Sequence, residues 1–124
     1  MKKILIYGDS NTWGDNFFLG RRIDDDKQWA NILQRKLGSE YKVIQEGLPG
    51  RIAGNFDMEE PFKNGKDSFL SIYKSHAPID ILIIALGSND LQIKYNKDYI
   101  YIILSERNRS SGKTMEKFED QSKI

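Results

Sequence analysis

Apolar and polar positions along this chain fall into three short apolar runs separated by two stretches of helical period. Residues 3–7 (KILIY), 41–45 (YKVIQ) and 80–86 (DILIIAL) carry the runs. The first and third are nearly continuous Ile and Leu, the pattern of strands buried on both faces of a parallel sheet. The second alternates more and suits a flank of that sheet. Between the first two runs, Trp29, Ile32, Leu33 and Leu37 recur at helical spacing. Asp24, Asp25 and Asp26 offer an N-cap and an acidic first turn, and Gly38 follows as a C-terminal stop. A second helical stretch, over about residues 68–75, sets Phe69, Ile72 and Tyr73 on one face. The order strand–helix–strand–helix–strand predicts an α/β doubly wound parallel sheet.

After Asn96 the character changes. Residues 99–104 (YIYIIL) form an apolar run that reads either as the start of a helix or as a short strand. Residues 105–124 are polar and charged, with Met115, Phe118 and Ile124 as the strongly apolar positions. Within them, 108–113 (NRSSGK) reads as disordered linker, followed by a weak helix around 115–120. The division expected is a domain over 1–104 and a polar, disordered tail over 105–124. A sheet that stops at its third strand leaves 80–86 as an apolar edge, a pairing hazard that predicts self-association.

Composition narrows the classes. A chain of 124 residues holds one domain. Nineteen basic residues against 18 acidic leave a net charge of +1, which argues against an electrostatic nucleic-acid binder. With no cysteine, disulfide frameworks, Cys-ligated zinc, iron–sulfur clusters and thiol catalysis are excluded. No phosphate-binding G-x-x-x-x-G-K-[ST] loop occurs and no cofactor is implied. The apolar run from Ile4 to Tyr7 ends at Gly8, short of the ~7–15 residues of a secretory core. The longest apolar stretch, 79–86, contains Asp80 and falls well below the ~18 residues of a membrane span. The expected location is cytoplasmic.

In open α/β sheets, ligands bind outside the carboxyl ends of the strands, so the residues just after each run matter most. The first run leads into Gly8, Asp9, Ser10, Asn11, Thr12, Trp13 and Gly14. The second leads into Glu46, Gly47, Leu48, Pro49, Gly50 and Arg51, the third into Gly87, Ser88, Asn89 and Asp90. Each has an ordinary reading alone. Ser10 or Asp9 caps a helix entry, and Ser88–Asp90 makes an Asx-rich turn. Taken together at one sheet edge, they supply a hydroxyl nucleophile, approachable backbone N–H groups and a side-chain amide.

With these three blocks in order, the chain resembles the SGNH (GDSL-type) hydrolase family, over about residues 1–98. Glu46-Gly47-Leu48 leading into Arg51, and the approach from Pro78 to Leu86, resemble its arylesterase/acyltransferase-like branch. The resemblance implies a three-layer, flavodoxin-like sheet and a small acyl-ester substrate, attacked by Ser10 to give an acyl-serine. It implies an oxyanion hole from the N–H groups of Ser10 and Gly50 and the side-chain amide of Asn89. Asp9 then braces the oxyanion loop, Asp90 orients a water or a loop, and Trp13 either walls the acyl pocket or shields it by packing.

The family's fourth block, an Asp-x-x-His whose His is the general base, has no counterpart in the sequence. The one histidine, His76, lies before the third run, at the opposite edge of the sheet from Ser10. A strand of about seven residues separates those edges by roughly 20 Å. Two accounts follow. In one, the chain is the N-terminal part of an SGNH hydrolase, cut short near Tyr99 by a premature stop or frameshift and of low or no activity. In the other, it is a non-catalytic binding module that keeps the oxyanion loops.

Overall fold

The computed structural model describes residues 1–92, so the readings for 99–104 and for the tail lie outside the described residues. In chain order the elements are β1 (Lys2–Gly8), α1 (Ser10–Trp13), β2 (Asp15–Asn16), β3 (Arg21–Arg22), α2 (Trp29–Leu37), β4 (Tyr41–Gly47), α3 (Gly65–His76) and β5 (Ile81–Ala85). Short 3-10 turns sit at Asp25–Lys27, Pro61–Lys63 and Asn89–Leu91.

β1 is the middle strand of a parallel sheet of order β4-β1-β5. Its Ile4, Leu5, Ile6 and Tyr7 are all buried, which only a strand covered on both faces achieves. Alternate side chains leave a strand on opposite faces. On one face Ile4 and Ile6 pack with Ala30, Trp29, Leu33 and Leu37 of α2, and with Val43 and Ile83 of the flanking strands. On the other, the Tyr7 ring meets Phe69 of α3 edge-on at 5.4 Å and its hydroxyl donates to Gly65 O at 2.6 Å. Helices on both faces make the sheet doubly wound. Each fully buried Ile or Leu contributes about 1.5–3 kcal/mol by leaving water.

Three boundaries differ from the sequence pattern. The acidic triplet does not open α2: Asp24 pairs with Arg21 and Lys27, while Asp25–Lys27 forms a separate 3-10 turn. Gln28 is the N-cap residue of α2, buried, with its side-chain amide donating to Ile23 O and Asp25 Oδ1. Second, α3 starts three residues earlier than expected, at Gly65, where a Cβ would collide with Ile52 O. Third, the antiparallel ribbon β2–β3 is new, and its tip exposes Phe17, Phe18 and Leu19. Asp80 continues the ladder beyond β5, its N–H donating to Lys3 O and its carboxylate accepting from Lys3 N. Among the described residues β5 pairs only with β1, and its Ile81, Leu82 and Ile84 are exposed.

Candidate active site

The parallel register brings the carboxyl ends of the strands level, Gly8 opposite both Gly47 and Ala85. Asp9 turns the chain out of β1: its carboxylate accepts from Asn11 N at 3.0 Å and its carbonyl from Thr12 N and Trp13 N. Ser10 is thereby the first residue of α1, half-buried above the strand end. The turn sits directly on β4, because a Cβ at Gly47 would lie 2.5 Å from Trp13 N. Gly50 has φ +83°, and a Cβ there would meet the Lys63 stem at 2.8 Å. The left-handed backbone favours glycine at this turn, whereas the Lys63 end is flexible and can move aside.

Arg51 joins these segments. Its side chain is buried, and one guanidinium nitrogen donates to Gly8 O at 3.2 Å and to Glu46 O at 2.6 Å. The guanidinium lies over the Tyr7 ring, 4.2 Å from its centroid. Its backbone carbonyl accepts from the Asn89 side-chain amide at 3.0 Å. Asp90, also buried, closes the third connection: its carboxylate accepts from Ala53 N at 2.8 Å and Gly54 N at 3.0 Å. All three loops are thus cross-linked at one edge. Burial holds the Arg51 guanidinium below the ordinary arginine value, with Tyr7 and Glu46 acting in the opposite direction. Burial likewise pushes the Tyr7 phenol up; Arg51 lowers it, Glu46 raises it and a hydrogen bond with Ser68 lowers it. At neutral pH the pair is a neutral ring under a cation.

No protein-family model matches the chain, and no curated protein sequence matches it. Solved structures do. A carbohydrate acetylesterase family member from Sinorhizobium meliloti shares 33% identity over 84% of this chain, with TM-score 0.74. The native aryl esterase of M. smegmatis shares 35% over 76%, with TM-score 0.70. An SGNH-hydrolase family esterase shares the fold at 22% identity over 88% of this chain and 54% of its own, with TM-score 0.53. The chain shares the fold of these esterases, an SGNH-hydrolase family member among them. It spans about half the length of the solved chains it matches, 52% of the acetylesterase and 46% of the aryl esterase.

Other residues singled out in the sequence are placed as follows. Trp13 lies under the Arg22 guanidinium at 4.7 Å, and Arg22 Nε donates to Trp13 O at 2.7 Å, which roots the ribbon in the Ser10 turn. His76 is the last residue of α3, but its ring does not stay at the far edge as expected: Nε2 lies 2.7 Å from Oε2 of Glu46, which is one residue before the carboxyl end of β4. The His76 backbone carbonyl accepts from Lys3 Nζ at 3.2 Å, toward the amino half of β1. Among the described residues no cluster of three or more His, Cys, Asp or Glu could hold a metal ion, and no helix is long and apolar enough to cross a membrane. The linking role of Arg51 escaped the sequence reading. Its one signal was an arginine directly after a glycine turn, and a charged residue there reads by default as surface.

Proposed function

We propose that this chain carries the nucleophile and oxyanion half of a serine ester hydrolase that acts on small carboxylic esters. Ser10 Oγ attacks the ester carbonyl carbon, the hydroxyl proton passes to solvent, and the carbonyl oxygen becomes the oxyanion. Ser10 N–H, Gly50 N–H and the Asn89 amide donate to that oxygen. As the tetrahedral intermediate collapses, the alcohol oxygen leaves and takes up a proton, and the acyl group stays on Ser10. Water then releases the carboxylic acid; an alcohol in its place completes an acyl transfer. The steps need no cofactor, and we read the location as cytoplasmic.

The observation that supports this reading is the cross-linking of all three loops at one sheet edge, through Arg51 and Asp90. The esterase descriptions of the matched structures point to the same chemistry. Turnover is proposed to be slow, because the one histidine is hydrogen-bonded to Glu46 rather than to Ser10. That same contact favours the second reading, a module that binds esters without turning them over. A short-chain aryl ester separates them. A slow hydrolysis rate that disappears in Ser10→Ala is expected, since serine hydrolases with a damaged triad still exceed water by roughly 10³–10⁴-fold. Equal rates for the two chains leave the binding module.

The chain is also proposed to self-associate through β5, whose exposed Ile81, Leu82 and Ile84 border unpaired backbone among the described residues. Sedimentation should show species larger than the monomer, reduced by Ile84→Lys. A clean monomer would refute this.

A further inference from the structure

We propose that Arg51 is the positioning residue of the oxyanion hole, holding the Gly50 turn and the Asn89 amide in register with Ser10. This rests on the reading of these loops as an ester-hydrolysing site. Three loops that enter a site from three different strands have no reason of their own to stay aligned. The ladder ends at Gly8, Gly47 and Ala85; beyond it Leu48 N donates to Gly8 O and Ile52 N to Lys63 O. Among the described residues no backbone–backbone bond ties the Gly50 turn to Asn89, a link made by a side chain.

Arg51 has the contacts for that task. One nitrogen of its guanidinium donates to the carbonyl of Gly8, two residues before Ser10, and to the carbonyl of Glu46, one residue before β4 ends. Its own carbonyl receives the Asn89 amide, while its N–H closes the turn through Gly50 by donating to Leu48 O at 3.1 Å. A single residue thus contacts the segments that carry all three oxyanion donors. The flat cation on the Tyr7 ring, with Tyr7 anchored to Gly65 O, fixes where that residue sits in the sheet. Lysine cannot replace it. Its terminal nitrogen lies one bond short of the guanidinium Nη positions, and a round ammonium has no planar face to lie on the ring. Arg51 does not touch the reacting atoms; it acts through Gly50 and Asn89.

The test uses the full chain with Arg51→Ala and Arg51→Lys, and two measurements. The first is the Asn89 side-chain amide signal in a nitrogen–proton correlation spectrum, assigned by its loss in Asn89→Asp. Arg51→Ala keeps the carbonyl to which Asn89 donates, so a merely local loss of packing leaves this signal in place. Displacement of the turn moves it to the position of a free amide. The second is the rate of acetyl transfer from an aryl acetate to Ser10. That rate should fall on the order of 10²-fold in Arg51→Ala, the scale expected for donors misplaced by about 1 Å. Guanidinium ion added well below denaturing concentration should restore part of it saturably by refilling the vacated site, and Arg51→Lys should remain impaired. An unmoved Asn89 signal together with a transfer rate within a few-fold of the unsubstituted chain overturns the proposal. If the unsubstituted chain transfers no acetyl group, the esterase reading fails, and the Asn89 signal alone decides whether Arg51 holds the loop. If Arg51→Ala does not fold, Arg51→Lys decides by the same two measurements.

Discussion

Asn89→Ala lowers the Ser10-dependent ester hydrolysis rate by on the order of 10²–10³-fold, the loss expected when one donor is removed from an oxyanion hole. The amide is already oriented before any ester arrives. Its nitrogen donates to Arg51 O at 3.0 Å, and its oxygen accepts from Gln92 Nε2 at 3.2 Å. An NH₂ group has two hydrogens, so one remains for a ligand. A donor held in this way costs no reorganisation when charge develops on the carbonyl oxygen, and it outcompetes water in a half-buried setting. The effect is large relative to what the chain has to lose. On the proposed reading, with no histidine base at Ser10, the oxyanion donors and substrate binding should supply nearly all of the acceleration, roughly 10³–10⁴-fold. Removing one donor should bring the rate close to that of Ser10→Ala. Initial rates with an aryl acetate measure this, and a fall of only a few-fold would place Asn89 outside the oxyanion hole.

Ile6→Ala destabilises the fold by about 2–5 kcal/mol, the range for truncating a fully buried Ile to Ala. Ile6 is completely buried in the middle of the central strand, packed with α2 on the face that also holds Ile4 and Ala30. Only Ile4, Leu5, Ile6, Tyr7, Ala30 and Ile52 form the buried apolar core among the described residues. The site of the lost methyl groups therefore has few neighbours free to collapse into it. Typical domains have only about 5–15 kcal/mol in total, so this loss removes a large share of the stability. Denaturant titration should show a lower midpoint with an unchanged slope. Leu70→Ala is the control: this side chain, on α3 and away from β5, is 61% exposed, and its loss should stay within about 0.5 kcal/mol.

These two positions differ in how legible they were from the residues alone. β1 as a strand buried on both faces followed from four consecutive apolar residues, but the same pattern misled for 80–86. Among the described residues β5 pairs only with β1 and leaves Ile81, Leu82 and Ile84 exposed, so burial on both faces fell to β1 alone. The convergence of three loops followed from parallel strand ends. What holds the loops together did not, because each link joins residues far apart in sequence. Asn89 to Arg51, Asp90 to Ala53 and Arg51 to Gly8 are contacts that no local pattern encodes. The start of α2 was misplaced for a related reason. Asp24 is a good capping residue by type, but Arg21 and Lys27 engage its carboxylate, and buried Gln28 occupies the capping position. His76 shows the same limit: its place at the end of α3 was readable, whereas its pairing with Glu46, thirty residues away, was not.

The central claim is that Ser10 becomes acylated, and it can be read without any turnover. An aryl ester has a good leaving group, so the acyl-forming step needs no general acid. Ser10 must still give up its proton, which makes that step slow, whereas the acyl-serine formed is an alkyl ester with a poorer leaving group. Release of the acyl group needs an activated water, for which the chain offers no placed histidine. The acyl-serine should therefore accumulate. The decisive measurement is the mass of the intact chain after incubation with an aryl acetate, followed by peptide mapping. The account predicts one added acetyl group, located on Ser10, absent in Ser10→Ala and slow to form in Asn89→Ala. An unmodified chain, or acetyl groups scattered over lysines at the same rate in Ser10→Ala, would contradict it.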